Sequence, residues 1–185
     1  MSKFSDRIMR DEWEPHHREV CIKAGDAAMK KFRIRSKKFG VILSDQLKYT
    51  MAMAFFGGLA LRSCGLFVPH EGGRIILAPP RLSTVARLLD KKNRSTLCEQ
   101  ELSLEDEIVF VVGHEMTHLY QKLRGKLPKD HRCSDLEKYF EQPHEREAFL
   151  GGLFLLEDVY SDKWSSWVQL IMKKECGSLE LMPRS

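Results

Sequence analysis

The sequence has no paired cysteines and no long hydrophobic run. Its five cysteines are scattered over 185 residues without a C-x-x-C pair, which excludes a disulfide framework and a thiolate zinc cluster. The longest apolar segments, residues 51–61 and 148–156, fall well short of the roughly 20 residues of a membrane-spanning helix. The first 14 residues contain no hydrophobic stretch of signal-peptide type. We therefore expect a cytoplasmic protein with reduced thiols and no membrane partner.

The composition is that of an ordinary folded domain. Hydrophobic residues make up 43% of the chain and charged residues 30%. A chain of this length can bury roughly 70% of its unfolded surface without a structural metal. We expect one domain over residues 1–185, in which a basic helical segment, residues 1–38, either completes the core or is an appendage. The composition does not indicate which oligomeric state the protein adopts.

The net charge of +4 is concentrated near the N-terminus. Six basic residues fall between positions 30 and 38: Lys30, Lys31, Arg33, Arg35, Lys37 and Lys38. Such a run can contact phosphates or an acidic partner. Because it is short and no nucleic-acid-binding motif accompanies it, the pattern favours a solvated helix end over a nucleic-acid site.

Local patterns predict a helix, then a small sheet, then a helical C-terminal half. Apolar spacing and a basic end indicate a helix over residues 15–32. Short β-branched runs indicate strands at 39–44, 59–69 and 74–79, the last two joined as a hairpin through residues 70–73. This order is typical of an α+β domain, here with a small, mostly antiparallel sheet.

The strongest helix signal begins at Ser103. Ser103 and Asp106 form a capping box, the apolar pattern continues to Leu123, and Gly125 can end the helix. Further helices are indicated at residues 82–90, at 134–141, from Pro143 onward and at 161–175. The C-terminal half is therefore predicted to be helical.

His114, Glu115 and His118 form an H-E-x-x-H sequence inside this predicted helix. Residues four apart lie on one helical face with their β-carbons about 5–6 Å apart, so two imidazole nitrogens can converge on one ion. Glu115 lies beside that face and can act as general base toward a water. The preceding residues 108–113 are apolar, which indicates a buried helix whose polar groups need partners. The pattern predicts a catalytic zinc site.

A catalytic zinc ion needs a third protein ligand. The residues after His118 do not continue as H-x-x-G-x-x-H, because Gln121 and Arg124 stand at the glycine and histidine positions. This excludes the metzincin pattern. The downstream candidates for the third ligand are His131, Glu145 and Glu147.

A tyrosine and a proline precede an H-E-x-E-A run within residues 139–148. This segment resembles the second motif of the glutamate-type zinc peptidases (gluzincins), in which a glutamate three residues before an alanine is the third ligand. It looks most like the small phage- and bacteria-encoded versions. The resemblance covers roughly residues 74–157 and makes Glu145, three residues before Ala148, the third ligand, with Glu147 as second choice. It implies a zincin-like single domain and, for a phage protein, the host cytoplasm.

One position departs from the gluzincin pattern. Many relatives carry Asp or Asn directly after the alanine, where it helps to orient a ligand histidine, whereas Phe149 stands here. Support for the ligand histidines must then come from elsewhere. The candidates are Asp158, Tyr139 and Tyr120.

His131 offers a different third ligand. Its spacing from His118 is similar to that of the three-histidine site in Spartan-like DNA–protein crosslink proteases. Those proteases normally place a glycine after the third histidine, where this chain has Arg132. That alternative predicts a DNA-associated protease.

The gluzincin resemblance implies a zinc-dependent peptidase that acts on a protein or peptide. Glu115 would take a proton from the attacking water and return it to the leaving amine, while His144 or Tyr139 would stabilise the oxyanion. A strand at residues 74–79 would offer its edge to an extended substrate. The competing hypothesis is a catalytically silent zinc-binding interaction module, against which the intact Glu115 argues.

Overall fold

The structure is a computed structural model that describes residues 3–35, 39–44, 65–68, 73–77, 103–128 and 142–161. The described ranges contain three α-helices: α1 (Pro15–Lys31), α2 (Leu104–Leu123) and α3 (Pro143–Val159). They also contain four short strands: β1 (Ile8–Asp11), β2 (Gly40–Leu43), β3 (Gly65–Val68) and β4 (Arg74–Leu77). A 3-10 turn (Phe4–Arg7) precedes β1.

The four strands form one sheet in the order β1-β2-β4-β3. Strands β1, β2 and β4 run parallel, and only β3 is antiparallel to its neighbour. The prediction of a mostly antiparallel sheet is therefore wrong. Strand β1 has no local sequence signal, because its four residues are mostly exposed. With β1 present, α1 becomes the crossover between β1 and β2, and a crossover of this length is what parallel neighbours require.

The predicted hairpin is confirmed as the pair β3 and β4. Val68 lies opposite Arg74 and Gly65 opposite Leu77, in antiparallel register. Strand β4 pairs with β2 along its other side, so both of its edges are occupied. The prediction that residues 74–79 offer a free edge to a substrate is wrong for the described part, residues 74–77. Among the described strands, β3 takes the outer position beside β4.

One hydrophobic cluster joins the first helix, the sheet and the two C-terminal helices. Its buried members include Cys21, Ala24 and Ala28 of α1, Val41 and Ile75 of the sheet, Ile108 and Met116 of α2, and Leu153 of α3. Residues 15–31 therefore pack as part of the core. The buried Cys21 acts as a small apolar side chain, and burial raises the pKa of its thiol.

Helix α2 has the ends that the sequence predicts. The Ser103 hydroxyl accepts from the Asp106 N–H, and the Asp106 carboxylate accepts from the Ser103 N–H at 2.9 Å, which confirms the capping box. At the other end Gly125 adopts a φ of 67°. The Lys126 N–H donates to the carbonyl of Gln121 at 2.8 Å, so the last carbonyls of the helix are satisfied.

Glycines bring α2 and α3 close together. A β-carbon at Gly113 would lie 2.9 Å from the Gly151 oxygen and from the Gly152 α-carbon, and one at Gly152 would lie 2.8 Å from the Phe110 ring. A β-carbon at Gly151 would overlap the hydroxyl of Thr117. These contacts leave no room for side chains, so the two helices approach to backbone distance. That approach sets the first turn of α3 against the later turns of α2.

Some predicted elements lie outside the described residues, namely the helices at 82–90 and 134–141 and nearly all of the one at 161–175. Within the described ranges, no helix combines the length and the apolar character needed to cross a membrane.

Candidate metal centre

The two histidines of the H-E-x-x-H sequence lie on one face of α2, as the spacing predicts. Their Nε2 atoms are 3.2 Å apart. Their ring centroids are 4.8 Å apart, and the ring planes are nearly perpendicular, at 85°. Both side chains are largely buried, with 14% of His114 and 7% of His118 exposed. The two Nε2 atoms thus point toward one location.

Helix α3 brings Glu145 to that location. Pro143 occupies the start of the helix, where its missing N–H is not needed, and Glu145 follows in the first turn. Its Oε2 atom lies 3.4 Å from His114 Nε2 and 3.3 Å from His118 Nε2. The carboxylate is almost fully buried, and its Oε2 makes no hydrogen bond to a residue that the structure describes.

The three atoms form a nearly equilateral triangle with edges of 3.2, 3.3 and 3.4 Å. Zinc bonds of about 2.0–2.1 Å in a tetrahedron place neighbouring ligand atoms about 3.3–3.4 Å apart. The triangle is therefore the right size for one face of a tetrahedral site. Two histidines and one carboxylate, with a fourth position open, are also a donor set of catalytic zinc. His114, His118 and Glu145 fit the ion, and within the described residues no other group of three such side chains converges in this way.

The groups of the cluster shift one another's pKa values toward the charged forms. Burial raises the pKa of the Glu145 carboxyl, but the imidazoles of His114, His118 and His144 outweigh burial and hold that pKa well below its usual range. Burial lowers the pKa of His118, but the Glu145 carboxylate, with contributions from Glu115 and Gln121, raises it to about 9. In the absence of an ion, a proton on His118 thus balances Glu145. A metal cation can replace that proton.

Glu115 follows His114 directly in α2 and is buried, with 5% of the residue exposed. Its negative charge acts on His118, whose pKa it helps to raise. A carboxylate at this place is close enough to the cluster to influence its protons, as a general base requires.

Two further side chains border the triangle. His144, also buried, places its Nε2 3.4 Å from Glu145 Oε1, on the side of the carboxylate away from Oε2. Glu147, the second choice for the third ligand, instead accepts a hydrogen bond of 2.8 Å from the Gln121 amide. Of the two glutamates that the sequence offers as third ligand, Glu145 therefore lies beside both histidines, and Glu147 contacts Gln121.

Sequence reasoning missed Gln121 as a support for the ligand histidines. The amide lies 2.9 Å from His118 Nδ1. Of the proposed supports, Asp158 pairs with Lys31 at 2.6 Å, and the Tyr120 ring lies between Phe32 and the Arg124 guanidinium. No motif signals a glutamine in this role, although its position three residues after His118 puts it within reach.

Two of the sequence-based candidates, His131 and Tyr139, lie outside the described residues. Part of the basic segment is described, and there Lys31 is engaged with Asp158 and lies over the Phe154 ring.

Comparison of the chain with protein-family models, with curated proteins and with solved structures yields no match. What the site does must therefore be inferred from its own residues and geometry.

Proposed function

We propose that the protein is a zinc-dependent peptidase of the glutamate type, with His114, His118 and Glu145 as metal ligands and Glu115 as general base. The observation that carries the proposal is the buried triangle of two imidazole nitrogens and one carboxylate oxygen, with edges of 3.2 to 3.4 Å. Its size suits zinc, and its donor set leaves one coordination position open. The helix supplies a carboxylate next to the first ligand, which a purely structural site does not need.

Zinc in this position supplies Lewis acidity, which brings the pKa of water to about 7 and polarises a peptide carbonyl. Glu115 takes a proton from the attacking water, whose oxygen bonds to the peptide carbon. The peptide C–N bond then breaks, and the same proton passes from Glu115 to the leaving nitrogen. Proton transfer of this kind typically contributes about 10²–10⁴-fold to a rate.

His144 has a supporting role in this proposal. It contacts Glu145 Oε1 at 3.4 Å, which leaves Oε2 to face the two ligand histidines. The carboxylate is thereby held in the orientation of a ligand that uses one oxygen. Stabilisation of the oxyanion by His144 or Tyr139 stays a prediction.

The substrate class in this proposal is an extended peptide or an unfolded protein segment. Such a segment can add to a sheet edge through main-chain hydrogen bonds. The outermost described strand next to β4 is β3, which also contacts α2, the helix that carries the histidines. We assign the substrate to the outer edge of β3. We also propose a cytoplasmic location, because the unpaired cysteine pattern indicates reduced thiols.

The test compares wild type with Glu115→Gln on a fluorescently labelled unfolded protein, with and without DNA. We expect cleavage by wild type, a loss of about 10²–10⁴-fold in Glu115→Gln, and equal zinc content in both. Zinc binding without cleavage by wild type would favour the silent interaction module. Cleavage that requires DNA and persists in Glu145→Ala would favour the Spartan-like alternative with His131.

A further inference from the structure

We propose that Gln121 is a positioning residue that fixes His118 for metal binding and links it to the carboxylate of Glu147. The inference rests on the metal site of the proposed function but does not depend on peptide hydrolysis. Gln121 lies three residues after His118 on α2, and its side chain is fully buried. Its amide is in hydrogen-bond contact with groups on both helices.

The two ends of the Gln121 amide are distinguished by their neighbours. Nε2 lies 2.8 Å from the backbone oxygen of His144 and 2.8 Å from a carboxylate oxygen of Glu147. Both neighbours are acceptors, so the NH₂ group has to face them. The amide oxygen Oε1 then faces His118 Nδ1 at 2.9 Å, and it can only accept.

An acceptor in this position requires a proton on His118 Nδ1. In the neutral ring, a proton on Nδ1 leaves the lone pair on Nε2. Nε2 is the atom that lies 3.2 Å from His114 Nε2 and 3.3 Å from Glu145 Oε2. The hydrogen bonds of Gln121 and the ligand triangle therefore select the same nitrogen, although they are separate sets of contacts.

The same amide also joins the two helices of the site. Its donors reach the first turn of α3 at the His144 carbonyl and at Glu147, and its acceptor holds His118 on α2. A metal-binding histidine usually donates its second N–H to a carboxylate, a carbonyl or water. Here a neutral amide receives that N–H, and the carboxylate of Glu147 lies one hydrogen bond further away. Gln121 thus sets both the tautomer of His118 and its alignment with the helix that carries Glu145.

The primary test is Gln121→Leu, with Gln142→Leu as a matched control. Gln142 is the N-cap of α3, and its side chain makes no capping hydrogen bond. The readouts are zinc affinity, from competition with a chromophoric chelator, and the visible spectrum of the Co²⁺ form, neither of which needs peptidase activity. We expect about 10–100-fold weaker zinc binding and an altered Co²⁺ spectrum for Gln121→Leu, with Gln142→Leu unchanged.

A second pair of variants keeps the test decisive if Gln121→Leu does not fold. Gln121→Glu sets a carboxylate against that of Glu147 and should weaken zinc binding, and adding Glu147→Gln should restore most of it by removing the like charge. The inference would be overturned if the losses of zinc affinity simply added in the double variant, or if Gln121→Leu bound zinc as tightly as wild type. Neither result would affect the proposed function. If the wild type bound neither Zn²⁺ nor Co²⁺, the inference and the proposed function would both be overturned.

Discussion

Two buried glutamates, Glu107 in helix α2 and Glu145 in helix α3, have pKa values that are shifted in opposite directions. Glu107, in the first turn of the helix, has both carboxylate oxygens buried without a hydrogen bond, and burial raises its pKa to about 7. Glu145 faces the later turns, where three imidazoles hold its pKa well below the usual range. Burial is nearly complete at both residues. Burial alone therefore does not define a site, because the neighbouring groups decide which form of the acid is stable.

The distance between the two regions keeps their chemistry separate. Glu107 precedes His114 by seven residues, so it lies on the same helical face about 10.5 Å away. That is too far for direct contact with the ligand atoms. Glu107 in the first turn of α2 therefore keeps its proton up to about pH 7, whereas Glu145 of α3 is stable as an anion.

The largest difference is expected from Glu145→Gln. The substitution removes a ligand oxygen and leaves His118 without its carboxylate. We expect zinc affinity to fall more than about 100-fold, which exceeds the loss typical of a residue that only hydrogen-bonds to a ligand. We also expect the metal-free protein to lose about 3–5 kcal/mol of stability, because a buried ion pair is broken. Chelator competition and urea unfolding measure the two effects. Unchanged zinc affinity would remove Glu145 from the site.

Glu107→Gln is the matched substitution and should act in the opposite direction. The native carboxyl has a pKa of about 7 against 4.5 when unfolded, so the native state binds the extra proton between these values. Wild-type stability contributed by this group is therefore present below pH 4.5 and is lost as the pH rises through 7. We expect Glu107→Gln to be about 3 kcal/mol more stable than wild type at pH 8 and equal to it near pH 4.

The difference between the two unfolding curves isolates Glu107. His118, with its pKa raised to about 9, contributes its own pH dependence above its usual value, but it is present in both proteins and cancels. Zinc affinity should not change in Glu107→Gln. A constant stability difference from pH 4 to 8 would show that Glu107 is not the titrating group.

The contact between α2 and α3 provides a smaller test. In Gly151→Ala, the added β-carbon meets the Thr117 hydroxyl, so the helices must move apart. Overpacking of this kind typically costs about 1–3 kcal/mol. Because Glu145 is on the displaced helix, we also expect weaker zinc binding. Thermal unfolding with and without zinc measures both, and a destabilised variant with full zinc affinity would mean that the helix contact does not position Glu145.

The smallest effect is expected at the ion pair between Lys31 and Asp158. It is partly exposed, with 26% and 42% of the two side chains accessible. Such pairs contribute roughly 0–1 kcal/mol, so Lys31→Met should reduce the free energy of unfolding by no more than about 1 kcal/mol. Zinc affinity should be unchanged. A loss of zinc from this variant, measured by the same chelator assay, would show that the pair of Lys31 and Asp158 does contribute to the metal site.

Local signals predict several of the elements that the structure describes. The ends of α2 follow from the Ser103 capping box and from Gly125, and the hairpin of β3 and β4 was anticipated. The two histidines were placed on one face by their spacing of four residues. Each of these features depends on residues close together in the chain. Glu145 is different, because only the resemblance of its segment to a known motif connects it with histidines on another helix.

The features that were missed depend on distant contacts. Strand β1 has four mostly exposed residues, and its parallel pairing with β2 follows from the crossover through α1. The role of Gly151 and Gly152 has no local signal, because it depends on α2 as a neighbour. Gln121 belongs to no motif, and its importance is visible only when His118 and α3 lie beside it.

The proposed function depends on one zinc ion held by His114, His118 and Glu145. The most direct measurement is metal content by mass spectrometry, on protein purified without added zinc and again after zinc titration. We expect about one zinc ion per chain, bound by two histidines and a carboxylate, and a loss of that zinc in Glu145→Ala. No metal in the purified protein, and none taken up on titration, would contradict it.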